Sequence, residues 1–244
     1  MRLKSILAAA AALALTVGGA TAGATHVGSP DGGFDLALDG WVRPARIAPD
    51  EPVPVAFHLT SELTSPVGSL PDTRTFSFEA DRSVSLDVSG LPVCRMLGMP
   101  VSPPPWRACK AGIVGQGEMT VLYRVPEGVP VTIKGKLVVY NGGAKGGQTK
   151  LWVRTYLSVP RPNVSLAKMK VKRVRKGRYG TKVGVSIPTL AAKFGTLVSF
   201  DLTLGKKIVS ASCPDGHLSV RGSTSLEGAE GKVELPFAAT RRCA

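Results

Sequence analysis

Hydrophobic and polar side chains alternate with a period of two along nearly the whole chain, and helical spacing is almost absent beyond the first residues. Phe34-Asp35-Leu36-Ala37-Leu38 alternates. Val53, Val55, Phe57 and Leu59 share one face of the next segment, with Ala56, His58 and Thr60 on the other. The pattern recurs in Thr75 to Glu79, Val84 to Val88, Met119 to Val125, Val131 to Tyr140 and Leu151 to Leu157. Between the last two, Asn141 to Gln148 predicts a glycine-rich loop joining a hairpin. A second hairpin runs from Val164 to Arg175, turns over Lys176 to Gly180 and returns from Thr181 to Ile187. Val174 breaks the phase of its first arm, which predicts a β-bulge near Lys172-Arg173. Thr196 to Thr203, Lys207 to Ser212 and Lys232 to Thr240 complete the series, Pro214-Asp215-Gly216 marks a tight turn, and Thr189 to Phe194 is expected as a short helical turn. Many short strands punctuated by glycine and proline predict an all-β fold with an antiparallel, β-sandwich-like architecture.

The first residues follow a different rule. Arg2 and Lys4 precede an apolar run from Ile6 to Val17, and Ala20-Thr21-Ala22 has the small-x-small pattern of a cleavage site. The run is too short to span a bilayer, so residues 1–22 are expected to be a helical signal peptide. Residues 23–33 are then a mobile N-terminal segment and 34–244 an all-β domain. Pro160-Arg161-Pro162 marks a possible subdivision, although so short a linker favours a bend within one packed unit. No later segment is apolar enough to be a transmembrane helix.

An exported chain meets an oxidising compartment, and four cysteines remain after the signal: Cys94, Cys109, Cys213 and Cys243. Three connectivities are possible, and spacing favours Cys94 with Cys109 and Cys213 with Cys243. The smaller ring should stabilise by about 3 kcal/mol and the larger by somewhat more. A structural zinc site would need close pairs such as C-x-x-C, which the sequence lacks, so no metal and no cofactor is expected.

The formal charge is +14 and unevenly placed. Between Asp31 and Glu127 there are twelve acidic and eight basic residues; between Gly128 and Phe200 there are fifteen basic residues and no acidic one. Nine of the fifteen fall between Arg161 and Lys182. Lys168, Lys170, Lys172, Arg173, Arg175, Lys176 and Arg178 are therefore the candidate anion-binding residues. Such a field concentrates any polyanion, whether cell-wall polymer, anionic lipid surface or nucleic acid. Nucleic acid is disfavoured because Tyr179 alone interleaves with the basic run as a stacking platform. The bland alternative places Lys168, Lys170 and Lys172 on the solvated face of a strand, where lysine also blocks edge-to-edge aggregation.

Catalytic motifs fail on inspection. Gly142 to Thr149 has P-loop spacing, but Gln148 stands where the phosphate-binding lysine belongs, and Leu151-Trp152-Val153 cannot open the required helix. Gly112 to Gly117 has no strand-turn-helix context for a dinucleotide. No G-x-S-x-G elbow surrounds a serine. Of three histidines, His26 lies near the signal, His217 follows a turn, and His58 would be the candidate base of a dispersed site. Trp41, Trp106 and Trp152 are the candidate sugar platforms, with Trp152 and Val153 expected on opposite faces.

Leu91-Pro92-Val93-Cys94, Arg107-Ala108-Cys109 running on to Gly117, Arg178-Tyr179-Gly180-Thr181 and Ser210 to Gly216 together resemble an uncharacterised family of secreted actinobacterial proteins. The likeness spans most of the chain after about Pro52. It implies export and paired cysteines at Cys94, Cys109, Cys213 and Cys243, and it transfers no activity. The expected protein is a secreted or cell-envelope, non-catalytic β-scaffold with a basic face. Two alternatives remain: a secreted hydrolase with a dispersed site, and a carrier of an apolar ligand between the sheets.

Overall fold

Alternating side chains let a strand bury one face and solvate the other, and neighbouring strands satisfy the backbone groups between them. The computed structural model describes residues 24–29, 33–66, 70–96, 109–124, 128–158, 162–191, 194–205, 208–228 and 231–243. The expected signal peptide and Trp106 lie outside them. Among the described residues there are fifteen strands: β1 (Thr25–Gly28), β2 (Asp35–Arg43), β3 (Val53–Pro54), β4 (Ala56–Thr64), β5 (Asp72–Asp81), β6 (Val84–Leu86), β7 (Ile113–Tyr123), β8 (Val131–Lys145), β9 (Gln148–Leu157), β10 (Asn163–Arg173), β11 (Tyr179–Ser186), β12 (Gly195–Leu204), β13 (Val209–Ala211), β14 (His217–Gly228) and β15 (Gly231–Arg242). No helix among these residues is long and apolar enough to cross a membrane.

Twelve strands form one sheet in the order β1-β2-β4-β12-β7-β8-β9-β10-β11-β5-β14-β15, every neighbouring pair antiparallel. The sheet curls until β1 comes alongside β15, giving a near-barrel. Past the end of short β1, Arg241 of β15 latches directly onto β2: its Nε donates to the Gly40 carbonyl at 3.1 Å, and its Nη2 bonds the Asp39 carboxylate. The barrel is flattened rather than round. Phe76 of β5 meets Phe200 of β12 edge-on, with ring centroids 5.7 Å apart, and stacks at 5.4 Å on Phe237 of β15. Two opposing layers therefore pack as in a sandwich.

The interior is apolar and the exterior charged. Along β10, Ala167, Met169 and Val171 are buried while Lys168, Lys170 and Lys172 are exposed. That arrangement inverts the apolar-out pattern of a membrane-spanning barrel. One end of the barrel is stoppered by a three-stranded sheet, β3-β13-β6, in which Ala211 is nearly inaccessible, as is Val55 just after β3. Backbone bonds from Ile47 to Cys243 (2.8 Å) and from Cys213 to Ala48 (2.9 Å) tie the stopper to the chain's end. The Cys213–Cys243 disulfide, with Cα atoms 6.2 Å apart, locks the same corner. At the opposite end, which we call the open end, lie the connections β7–β8, β9–β10, β11–β12 and β14–β15.

Both expected disulfides are present, and the all-β, antiparallel expectation holds. Three local expectations change. Thr25–Gly28, placed in a mobile segment, is paired strand, because Val27 and its neighbours add to the free edge of β2. The glycine-rich loop shrinks to a two-residue turn. Gly146 and Gly147, at φ 60° and 72°, supply the left-handed pair that a tight hairpin needs, and β8 and β9 continue to Lys145 and Gln148. The bulge lies not at Lys172-Arg173, which pair regularly with Lys182 and Thr181, but at Gly180, where β11 shifts against β5. The phase break at Val174 marks instead the end of the strand, where its N–H reaches across to the Gly180 carbonyl at 2.8 Å. The expected short helical turn is present at its described positions: Ala191 lies in a 3-10 turn, its carbonyl accepts from the Phe194 N–H at 3.1 Å, and Leu190 bridges Gly195 around it. Residues 159–161 lie outside the described set, yet β9 and β10 on either side pair over ten positions, so one sheet runs through the suspected boundary.

The latch at the seam is testable. Replacing Arg241→Met should lower unfolding free energy by about 1 to 2 kcal/mol, the worth of charge-assisted bonds at a partly exposed site. Urea denaturation reads the loss, and hydrogen exchange should show it concentrated in β1, β2 and β15.

Candidate anion-binding face

The register of β9, β10 and β11 sets the site. Lys170 stands directly opposite Lys150 of β9, Lys172 directly opposite Lys182 of β11, and Lys168 opposite Trp152. Along a strand, side chains on one face repeat about every 6.6 Å, and adjacent strands lie about 4.8 Å apart. The result is a lattice of five lysines on a rigid sheet whose reverse side is core. Like charges directly opposite each other destabilise a sheet. Only Lys182 is compensated within the site, its Nζ lying 3.4 Å from Glu79. Among the described residues no carboxylate forms an ion pair with Lys150, Lys168, Lys170 or Lys172.

Glu79 bounds the lattice on β5. It accepts from Arg221 of β14 at 2.8 Å, and the Arg221 guanidinium lies 4.3 Å over the Tyr179 ring. The Arg221 hydrogen bond, with that of Lys182 behind it, holds the Glu79 carboxyl below its ordinary 4.5. On the other side Trp152 is half-buried and carries the Lys150 ammonium 4.8 Å over its ring. Trp152 and Val153 do fall on opposite faces, the tryptophan outward and the valine in the core.

The remaining basic candidates divide. Arg173, Arg175 and Lys176 are exposed at the stoppered end of β10. Arg178 is not part of the lattice: its Nη2 donates to Ser219 Oγ at 2.7 Å and to His217 Nε2 at 3.1 Å, and its Nε lies 3.9 Å from Asp81. The turn that carries these residues is built around Arg82, which sequence reasoning passed over. Its side chain donates to the carbonyls of Gly177 (2.8 Å) and Arg175 (3.1 Å), and its N–H donates to the Arg178 carbonyl at 3.0 Å. A cation thus holds a cationic turn in shape by engaging its backbone.

A second feature missed from sequence is Asn141, 1 % exposed. Its amide nitrogen donates to the carbonyls of Leu91 (2.9 Å) and Pro92 (3.3 Å), its Oδ1 accepts from Gly143 (2.8 Å), and its own carbonyl accepts from Cys94 (2.8 Å). With the Cys94–Cys109 disulfide, it pins the segment around Cys94 over the outer face of β8 and β9. Tyr140, Val138 and Arg154 are buried on that face, and desolvation pushes the Tyr140 phenol above its ordinary 10.0. Gly112 is required there, since a Cβ would meet the Cys94 sulfur at 2.3 Å. A polar residue before paired glycines was the one sequence signal for this anchor.

The histidines find partners of limited chemical use. His58 Nε2 bonds Asp201 Oδ1 at 2.9 Å, and its ring stacks on Trp41 at 4.5 Å, with Arg43 above the indole at 4.4 Å. No serine hydroxyl bonds it among the described residues, and its buried Nδ1 has no partner there. His217 donates from Nδ1 to the Asp215 carbonyl at 2.7 Å, leaving Nε2 to accept from Arg178. His26 pairs with Asp35 at 2.9 Å on the surface. No group of three or more metal-ligating side chains is assembled among the described residues.

The Glu79 pair sets a pH dependence. A carboxyl depressed in the folded state stabilises above its unfolded value and ceases to do so as pH falls through the folded value. Glu79→Gln should therefore cost about 0.5 to 1 kcal/mol at pH 7, with the difference from the parent shrinking as pH drops below 4.5, in paired thermal melts. No protein-family model, curated protein or solved structure matches this chain.

Proposed function

We propose that the chain is a non-catalytic, extracytoplasmic scaffold that binds a polyanionic polymer of the cell envelope on the outer face of β9, β10 and β11. The carrying observation is the pair of directly opposed lysines, Lys150 with Lys170 and Lys172 with Lys182. A fold that opposes lysines in two adjacent ladders, with only Lys182 offset by a carboxylate, is stabilised by an anion that neutralises the rest. The two disulfides suit an oxidising compartment, which favours envelope polymer over nucleic acid. The lattice is flat and repeats along the strand, so it fits a linear chain bearing anionic groups at intervals of about 6.6 Å better than one compact ligand.

The test uses purified teichoic-type wall polymer and the triple variant Lys150→Gln, Lys170→Gln, Lys172→Gln. Binding by the parent should weaken steeply between 50 and 200 mM salt, in proportion to the ion pairs formed. The triple variant should bind at least tenfold more weakly, with a shallower salt dependence and an unchanged melting temperature or a higher one. Binding indifferent to salt, or a triple variant equal to the parent, refutes the reading.

A further inference from the structure

The open end of the barrel differs from the stoppered end in three ways that point the same direction. First, an apolar void of about 90 Å³ lies in the interior there, walled among others by Phe76, Phe200, Met119 and Met169, with no polar surface exposed to it. A second void of about 80 Å³ lies further along, and Phe57 and Leu59 line both. Second, the first void shares the walls Ile187, Pro188, Leu190 and Leu197 with a polar cleft of about 230 Å³ that opens outward at Asp72, Thr73, Arg74 and Thr189. Third, beside that cleft three large apolar side chains of the rim meet solvent. Val129 is 83 %, Val131 51 % and Phe194 41 % exposed, and Phe194 sits against Tyr123 with centroids 6.1 Å apart.

We infer that the open end is a binding site for an uncharged single-chain amphiphile, with the hydrocarbon tail in the barrel and the head in the polar cleft. The wall between cleft and void is formed by Ile187, Pro188, Leu190 and Leu197. Ala191, next to Leu190, holds a left-handed backbone at φ 45°, a conformation that costs energy for any residue but glycine and recurs at ligand clamps. The void is smaller than the roughly 150 Å³ cavity that accepts benzene. Its walls can give, because methionine side chains repack readily, and turning Phe57 aside would join the two voids along the barrel axis. An uncharged head is favoured because, among the described residues, the cleft offers no free cation. Arg74 is engaged by Glu227 at 2.6 Å and by Asp72 at 3.5 Å, so an anionic head would meet two carboxylates. The exposed valines and Phe194 give the same end a means of touching a lipid surface from which such a molecule is drawn.

The site is distinct from the lysine lattice, and its test leaves that lattice intact. The full chain is titrated calorimetrically with straight-chain alcohols of four to twelve carbons and with the matching carboxylates. Affinity should rise about fourfold per added methylene, the transfer value for a buried CH₂, until the tail outgrows the barrel. Alcohols should bind more tightly than carboxylates of equal length. Ala167→Leu, which fills the void from β10, should lower affinity at least tenfold, and a parallel melt establishes that it folds. Val131→Ser should leave alcohol binding unchanged while slowing uptake of a long-chain alcohol from neutral vesicles. Affinity independent of chain length, carboxylates preferred over alcohols, or full-strength binding by folded Ala167→Leu overturns the inference.

Discussion

A sheet of twelve antiparallel strands has two edges, and each presents a row of backbone donors and acceptors that water or another chain must satisfy. Curling the sheet until β1 approaches β15 brings the two edges together without pairing them, and most of the architecture follows from that approach. The twist that brings the edges together places one face of every strand inside, so the period-two pattern becomes a closed apolar interior. Closure would fail where β1 runs out after four residues. There Arg241 crosses to the Gly40 carbonyl and the Asp39 carboxylate, substituting a side chain for the missing strand. The remaining openings are the two ends, and one receives a stopper from three strand fragments drawn from distant parts of the chain, cross-linked at its edge by Cys213–Cys243.

Closure also explains how lysines can face lysines. A like-charge pair on a free two-stranded ribbon would splay or slip its register. In β10 the inward neighbours Met169 and Val171 are buried in the core, and slipping by one residue would exchange them for Lys170 and Lys172. Burying a lysine costs far more than cross-strand repulsion between solvated ammonium groups, so the register holds and the repulsion stays. The cationic turn at the end of the ladder obeys the same logic: Arg82 and the Asp81–Arg178–Ser219 contacts fix its backbone, leaving Arg175 and Lys176 exposed.

What was legible in the sequence was whatever depends on neighbours two residues apart. The outward row Lys168, Lys170 and Lys172 and the inward row Ala167, Met169 and Val171 could be read directly, and cysteine spacing identified both disulfides. What depends on a distant partner could not. The like-charge pairs exist only through the registers of β10 with β9 and β11, and alternation alone sets no register. Arg82 looked like one basic residue among acids because the carbonyls it serves are more than ninety positions away. The bulge was misplaced for the same reason. It arises where β11 must fit β5, so it falls at Gly180 on the partner arm, whereas the visible irregularity at Val174 is only where β10 stops. Asn141 was hidden inside a stretch whose glycines suggested a loose loop, yet two of those glycines make a tight turn and the asparagine is among the least accessible residues in the chain.

The two faces of β10 tie the proposed functions to one element. Lys168 and Lys170 project outward on either side of Met169, whose side chain lines the interior void. An occupant that swelled the barrel would move the backbone between those two lysines, and it would do so across the ladder that sets their distance from Lys150. Because packed interiors resist small volume changes and transmit them as displacement, the spacing of the cationic lattice would then depend on what the barrel contains. A filled interior would stiffen the register and narrow the range of charge spacings that the lattice accommodates. An empty one, with Met119 and Met169 free to repack, would leave it more compliant.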